Sequence, residues 1–126
     1  MKVINTQIKL KKLSIVNNNL QGNFKMNPIY TKSIEKVNDF SYNLTLNFSV
    51  LNSKEYPFPI DLNTSIIGVF NFDEKSDEIK MEKFMSTAAV QILFPHLRTI
   101  ISSVTASSYM QPLLLSLTDV AKFITI

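Results

Sequence analysis

Residues 40–50 have the sequence Phe-Ser-Tyr-Asn-Leu-Thr-Leu-Asn-Phe-Ser-Val, in which every even position is apolar or aromatic and every odd position is Ser, Asn or Thr. Side chains of a β-strand point alternately to its two faces, so this pattern predicts a strand with one buried and one hydrated face. A turn-like segment follows at residues 51–55, and the alternation then resumes at Tyr56, Phe58, Ile60, Leu62, Thr64 and Ile66. Together the two runs predict an antiparallel hairpin.

Two more strands are expected before this hairpin. Ile8 and Leu10 alternate, and Leu13 continues the pattern one residue out of phase, which indicates a β-bulge near residues 11–12. A further strand is predicted at residues 29–37, where apolar and polar side chains mix again. The sheet should therefore contain about four strands.

Glycine and proline indicate where the strands are interrupted. Residues 17–28 are rich in Asn and should form a loop. Pro57 and Pro59 have no N–H to donate, so the first half of the second hairpin strand should lie at an edge or a bulge. Gly68 is expected to allow a bend near the end of that strand.

The periodicity changes after residue 76. Ser76 is a candidate N-cap, and apolar residues then recur at spacings of three and four through residues 81–104. This spacing predicts a helix of about 30 residues, with a kink or break near Phe94 because Pro95 removes a backbone hydrogen bond. A short final helix is expected at about residues 117–125.

Length and composition predict one folded domain spanning residues 1–126. The chain has 126 residues, of which 45% are hydrophobic and 18% charged, and it has no Cys. The expected fold class is α+β, with a four-stranded antiparallel sheet followed by a long kinked helix and a short C-terminal helix. No apolar run is long enough to span a membrane, and the first residues do not resemble a secretory signal. We therefore expect a cytoplasmic protein that does not insert into membranes.

The residues needed for catalysis are scarce. The chain has one His, two Gly and no Cys, which disfavours thiol chemistry, a glycine-rich phosphate loop and a thiolate metal site. His96 has no acidic or nucleophilic residue four positions before or after it, where Ile92 and Ile100 stand. The sequence therefore predicts no enzyme activity, no metal site and no cofactor.

The charge distribution does not favour nucleic acid as a partner. Residues 1–37 hold seven Lys and one Glu, but these lysines are scattered, and Arg98 is the single arginine of the chain. Arginine dominates specific phosphate and base contacts because its fork binds two acceptors at once. We therefore expect a solvated strand face and no nucleic-acid binding.

The apolar residues instead suggest binding to protein. The apolar stripe of the predicted helix widens around Pro95 beyond what one sheet face requires, which favours a second surface such as another subunit. The aromatic residues lie mostly on the strands. A sheet covered by few helices can leave a groove that accepts apolar segments of another polypeptide.

Residues 91–98, Gln-Ile-Leu-Phe-Pro-His-Leu-Arg, resemble the "ILFPYAR" stretch in the long helix of the SecB family of protein-export chaperones. Four residues from Ile92 to Pro95 match that stretch, as does Arg98, whereas His96 replaces the usual Tyr. The Pro-Leu connection at residues 110–117 and the Gly-Val-Phe at residues 68–70 also resemble the family.

This resemblance implies a homotetramer that assembles as a dimer of dimers, with grooves that hold non-native polypeptides without ATP. Export members of the family use acidic residues on the outer sheet face to engage the SecA motor. Here Asn63 stands where an acid is usual, and the net charge is +3, so the sequence leaves engagement of SecA open.

The leading hypothesis is an ATP-independent holdase for unfolded clients, with protein export as one setting. The alternatives are a SecB-like chaperone of a toxin–antitoxin system and an adaptor that binds one folded partner. The residues predicted to line the peptide groove are Phe40, Tyr42, Leu44, Phe58, Ile60, Leu115, Leu117 and Phe123. Those predicted to form the oligomer interface are Phe94, Leu97, Ile101 and Val104.

Overall fold

The computed structural model describes residues 2–126, over which four long strands form an antiparallel sheet that helices cover on one face. A fifth short strand pairs in parallel with β2, giving the order β1-β4-β3-β2-β5 within residues 2–126. The predicted α+β class is confirmed, with one additional strand. The elements are β1 (Val3–Asn17), β2 (Ile29–Asn38), β3 (Ser41–Val50), β4 (Ile60–Phe72), α1 (Glu78–Ser86), α2 (Ala88–Ser107), a 3₁₀ helix (Leu117–Lys122) and β5 (Ile124–Thr125).

The predicted central hairpin is formed by β3 and β4, which pair from Ser41 opposite Asn71 to Val50 opposite Leu62. The prediction for its proline residues is wrong. Pro57 and Pro59 precede β4, which begins at Ile60 and lies between β1 and β3 in the interior of the sheet. The prolines therefore fall in the β3–β4 loop, where their missing N–H groups interrupt no strand pairing.

The predicted bulge in β1 is confirmed. The register of β1 against β4 shifts between Leu10 and Lys12. Because of this extra residue, Leu13 lies opposite Thr64 and shares a sheet face with Leu10, which lies opposite Ile66. The bulge thus keeps the apolar side chains of β1 on one side despite the change of phase in the sequence.

The core lies between the sheet and α2. The even positions of β3 from Tyr42 to Val50 are buried, as are those of β4 from Ile60 to Phe72. Gly68 does not interrupt the strand, because β4 pairs with β1 and β3 without a register shift at this residue. A Cβ atom at Gly68 would lie 2.9 Å from the Phe70 ring and 3.3 Å from Leu93, so glycine here allows α2 to approach the sheet.

The helical region is interrupted at a different residue from the one predicted. Helix α1 is capped by Asp77, whose side chain accepts from the Lys80 N–H, rather than by Ser76. The break occurs at Thr87, whose hydroxyl donates to the Lys83 carbonyl at 2.6 Å. Such a side-chain bond competes with the regular backbone hydrogen bonds of a helix.

Helix α2 then continues through Pro95. Both Pro95 and Gln91 are exposed, so the Gln91 carbonyl that loses its helical partner can bind water instead.

The C-terminal segment closes one edge of the sheet. The Ser116 side chain caps the 3₁₀ helix, and the Ile126 N–H donates to the Lys32 carbonyl of β2 at 2.9 Å. The Tyr30 hydroxyl donates to the buried Asp119 carboxylate at 2.7 Å, and Lys122 lies 3.0 Å from the other oxygen. Burial together with this hydrogen bond raises the pKa of Tyr30.

Candidate functional site

An open groove of about 580 Å³ lies at the end of the sheet where β1 ends and β4 begins. Three segments that are far apart in the sequence form it: the β1–β2 loop, the start of β4 and the connection after α2. We call it the crossover groove, after that last connection. Its lining residues are Asn17, Leu20, Gly22, Asn23, Phe24, Met26, Phe58, Pro59, Ile60, Met110, Gln111, Pro112 and Leu113.

The β1–β2 loop is held against β4 by Asn18. Its backbone N–H donates to the Pro59 carbonyl at 2.8 Å, and its side-chain amide donates to the Phe58 carbonyl and to Asp61. Asn19 and Gly22 adopt positive φ angles of 55° and 128°. Such angles suit Asn and Gly, and they allow this loop to turn back over the groove.

The connection after α2, residues 108–116, is held by two side chains of that helix. The Thr105 hydroxyl, which is fully buried, accepts the Leu113 N–H at 2.9 Å and bonds back to the Ile101 carbonyl at 2.8 Å. Arg98 donates through Nε to the Leu115 carbonyl at 2.9 Å. These bonds fix the backbone of the groove wall although it has no regular secondary structure.

The groove is uncharged and chemically adaptable. Among the described residues that line it, none carries a charged side chain. Met26 and Met110 contribute flexible, polarizable surface that fits differently shaped apolar groups. The amides of Asn17, Asn23 and Gln111 offer both donors and acceptors. This combination suits a polypeptide segment with apolar side chains and an unpaired backbone.

Of the residues predicted to line a peptide groove, Phe58 and Ile60 lie in the wall of the crossover groove, although they are largely buried and also belong to the core. Leu117 is 64% exposed on the 3₁₀ helix, whereas Phe40 is half exposed at the opposite end of the sheet. The remaining four are buried within this chain and belong to its core: Tyr42, Leu44, Leu115 and Phe123.

Sequence reasoning missed most of the groove. Leu20, Phe24 and Met26 lie in a segment that its Asn content assigned to loop, and Met110 lies in an irregular connection. The sequence feature that could have identified these groove residues is the presence of large apolar side chains in segments otherwise typical of solvated loops. No periodicity links these segments, since only the fold brings them together.

A family model described as "SecB: Preprotein translocase subunit SecB" matches residues 6–123 of this chain. This chain belongs to the SecB family. A comparison with curated protein sequences found no significant match.

Solved structures with the same fold include the Mycobacterium tuberculosis SecB-like chaperone in complex with a ChAD peptide from the HigA1 antitoxin. Its TM-score is 0.73 at 10% identity, covering 88% of this chain and 88% of that chain. A Streptococcus agalactiae protein of unknown function has a TM-score of 0.50 at 12% identity, covering 92% of this chain and 98% of that chain.

The helix residues predicted as an oligomer interface lie mainly inside this SecB-family chain. Phe94, Leu97 and Ile101 are buried against the chain's own sheet, and Val104 is half-buried. Side chains three and four residues apart share a helix face, so these four face the core together. The opposite face of α2 is exposed and includes Ile92, Pro95, His96 and Thr99.

A second uncovered surface of the SecB-family chain is β1. Over residues 2–126, this 15-residue strand pairs only with β4, so the backbone groups of its other edge are free. Ile8, Leu10 and Leu13 lie on the helix side of the sheet but remain 36%, 51% and 40% exposed. An edge of this length with exposed apolar side chains is a template for association.

The described residues contain no cluster of His, Cys, Asp or Glu side chains that could hold a metal ion. His96 is exposed on α2. Across residues 2–126, no helix combines the length and the apolar character required to cross a bilayer.

Proposed function

We propose that this SecB-family chain is an ATP-independent holdase, which binds segments of unfolded polypeptide in the crossover groove. The observation that carries this proposal is the lining of the groove, which joins Met and aromatic surface to backbone-like amides and contains no charged side chain among the described residues. A holdase has to accept many sequences that share apolar side chains and an unsatisfied backbone. A groove of this composition matches those two common features.

One groove alone should bind weakly. Its volume of about 580 Å³ accommodates a few side chains, and ordering a flexible chain opposes binding. Several grooves on one particle raise the overall affinity, because the second contact of the same client becomes intramolecular. Multivalence therefore favours an oligomeric holdase.

The proposed oligomer is a homotetramer that assembles as a dimer of dimers. Two surfaces support it: the free edge of β1 with Leu10 and Leu13, and the exposed face of α2 with Ile92 and His96. Light scattering should give a mass of about four times the 14.4 kDa chain. A monomer at micromolar concentration would contradict this assembly.

The holdase activity is tested by suppression of aggregation. A model protein that aggregates on dilution from denaturant should remain soluble with a stoichiometric amount of the wild-type chain. Leu20→Asp places a charge in the groove at a residue that is already 38% exposed, and it should abolish protection. Ile79→Asp adds the same charge at an 81% exposed residue of α1 and should protect like the wild type.

Loss of protection by both variants would show that the added charge acts nonspecifically. Protection by neither the wild type nor any variant would refute the holdase proposal. Unchanged protection by Leu20→Asp would place the client elsewhere on the chain.

A second candidate function is that of a SecB-like chaperone serving a toxin–antitoxin system. The observation that favours it is the shared fold with a chaperone whose structure contains an antitoxin peptide. Competition separates the two functions. A holdase should lose a bound antitoxin segment to excess unfolded polypeptide of unrelated sequence, whereas a dedicated chaperone should retain it. Stoichiometric binding of one folded protein would instead support an adaptor.

The other aspects of the proposal concern the cellular setting. We propose a cytoplasmic protein without catalytic activity, cofactor or nucleic-acid partner. The outer sheet face is relevant to protein export, because export members of the family bind SecA there. Asn63 lies on this face, with Ser14 of β1 and Ser49 of β3 as its neighbours. These three uncharged positions support a chaperone that makes no acidic contact with SecA at Asn63, although Asp61 lies on the same face, and a pull-down with purified SecA tests it.

A further inference from the structure

Tyr109 is unusual in both its backbone and its environment. It follows Ser108, the C-cap of α2, has a φ of 60°, and is 100% exposed. Gly or Asn usually occupies a left-handed residue after a helix, because a bulky side chain is strained there. A large aromatic side chain in full contact with water gains nothing by burial to offset that strain.

The conformation of Tyr109 is fixed by the residues around it. Its N–H donates to the Ala106 carbonyl at 3.1 Å, and the Met110 N–H donates to the Thr105 carbonyl at 3.1 Å. The Ser108 N–H and hydroxyl both bond to the Val104 carbonyl, at 3.0 and 2.7 Å. A strained residue persists when its surroundings determine its conformation in this way, and such residues cluster at functional sites.

The backbone of Tyr109 is bonded directly to the first residue of one groove wall, Met110. The next four residues, 110–113, form one wall of that groove. Because the turn is held by these hydrogen bonds, the backbone from which the ring projects is fixed beside the wall before any client arrives. A tyrosine side chain has only two rotatable bonds, so it provides contact area at a small cost in conformational entropy.

We propose that Tyr109 is a preorganised anchor that packs against an apolar side chain of the bound client, next to the segment held in the groove. This inference rests on the proposed holdase function and extends it to client selection. The preferred clients are unfolded segments in which an aromatic or long aliphatic residue adjoins the apolar stretch that enters the groove. The strain at Tyr109 is thus retained because the ring contributes to binding.

The test measures affinity and stability in the same variants. The probe is a fluorescent, permanently unfolded model polypeptide, and its affinity is measured by anisotropy. Tyr109→Gly removes the ring and the strain together, so Kd should rise about fivefold or more while Tm rises by about 2–4 °C. Tyr109→Asn should behave similarly, whereas Tyr109→Phe should keep the wild-type affinity because it keeps the ring.

A purely structural role would not produce weaker client binding together with a higher Tm in Tyr109→Gly. If the wild type and Tyr109→Gly bind the probe with equal affinity, the anchor is overturned and the holdase proposal is unaffected. A wild type that fails to bind the probe would overturn both. A change of particle mass in Tyr109→Gly, measured by light scattering, would make Tyr109 a subunit contact and would also overturn the anchor.

Discussion

Strands β3 and β1 both alternate apolar with polar side chains, yet their burial differs. Leu44 of β3 is fully buried, whereas Leu10 of β1 lies on the same side of the sheet and is 51% exposed. Alternation therefore identifies which face of a strand is apolar but not whether anything covers that face. Coverage depends on where the helices lie, which is a property of the tertiary structure.

The position of the helices explains the difference. Helix α2 packs over β3 and β4, with Leu93 close to Gly68. Helix α1 lies over β2, where the Lys32 ammonium donates to the Ser86 carbonyl at its C-terminal end. Strand β1 lies beyond β4 and is left uncovered within residues 2–126. The covered strands provide stability, and the uncovered strand is available for assembly.

Matched truncations give the largest expected effect. Leu44→Ala should lower the free energy of unfolding by about 2–5 kcal/mol, because it opens a cavity in the core. Leu10→Ala should cost about 1 kcal/mol or less within one chain, because the side chain is half exposed. Urea denaturation measures both, and light scattering shows whether Leu10→Ala shifts the oligomer instead. Equal losses from the two variants would abolish the contrast between the strands.

The close approach of α2 to β4 gives the next effect. Gly68→Val should cost about 1–3 kcal/mol, since its Cβ would lie 2.9 Å from the Phe70 ring. The matched change on the uncovered strand is Ile8→Val, at the residue opposite Gly68, which should cost about 0.5 kcal/mol or less. Thermal unfolding of both variants measures this. A neutral Gly68→Val would mean that the helix does not press on the sheet here.

The buried hydroxyl that holds the groove wall gives a smaller effect. Thr105→Val leaves the Leu113 N–H without its partner and should cost about 1–2 kcal/mol. It should also weaken client binding, since residues 110–113 line the groove. Thr125→Val, at an exposed residue of β5, is the control and should leave both properties nearly unchanged.

Acidification gives the smallest effect, and it concerns the edge of the sheet that β5 closes. Burial raises the pKa of the Asp119 carboxyl. Hydrogen bonds from Tyr30 and Lys122 and the charge of Lys122 outweigh this effect, so the pKa lies below its usual value. Its ionised form therefore stabilises the fold above the ordinary aspartate pKa, and this contribution is lost as the pH falls through the lowered pKa.

Between pH 7 and pH 3, the wild type should therefore lose about 1 kcal/mol more stability than Asp119→Asn. Glu82→Gln, which removes an exposed carboxylate of α1, is the control and should lose as much stability as the wild type over this range. Identical pH profiles for the wild type and Asp119→Asn would show that this contact does not stabilise the closed edge.

Periodicity predicted the strands, the hairpin and the bulge, because these features depend on neighbouring residues. Pro95 predicted a kink or break near Phe94, whereas the helix is interrupted at Thr87, whose hydroxyl donates to the Lys83 carbonyl. The two-residue β5 pairs with a strand about ninety residues earlier and leaves no local pattern. Most of the groove was missed for the same reason, because Met26 and Met110 meet only in the folded chain.

The central claim is that unfolded polypeptide occupies the crossover groove. The chain has no Cys, so a single introduced cysteine carries an environment-sensitive fluorophore at one known place. Gln111→Cys places it in the groove, and Ser14→Cys places it on the outer sheet face. Titration with an unfolded model polypeptide should give a saturable emission shift at residue 111 and none at residue 14. No shift at residue 111, or equal shifts at both residues, would contradict the account.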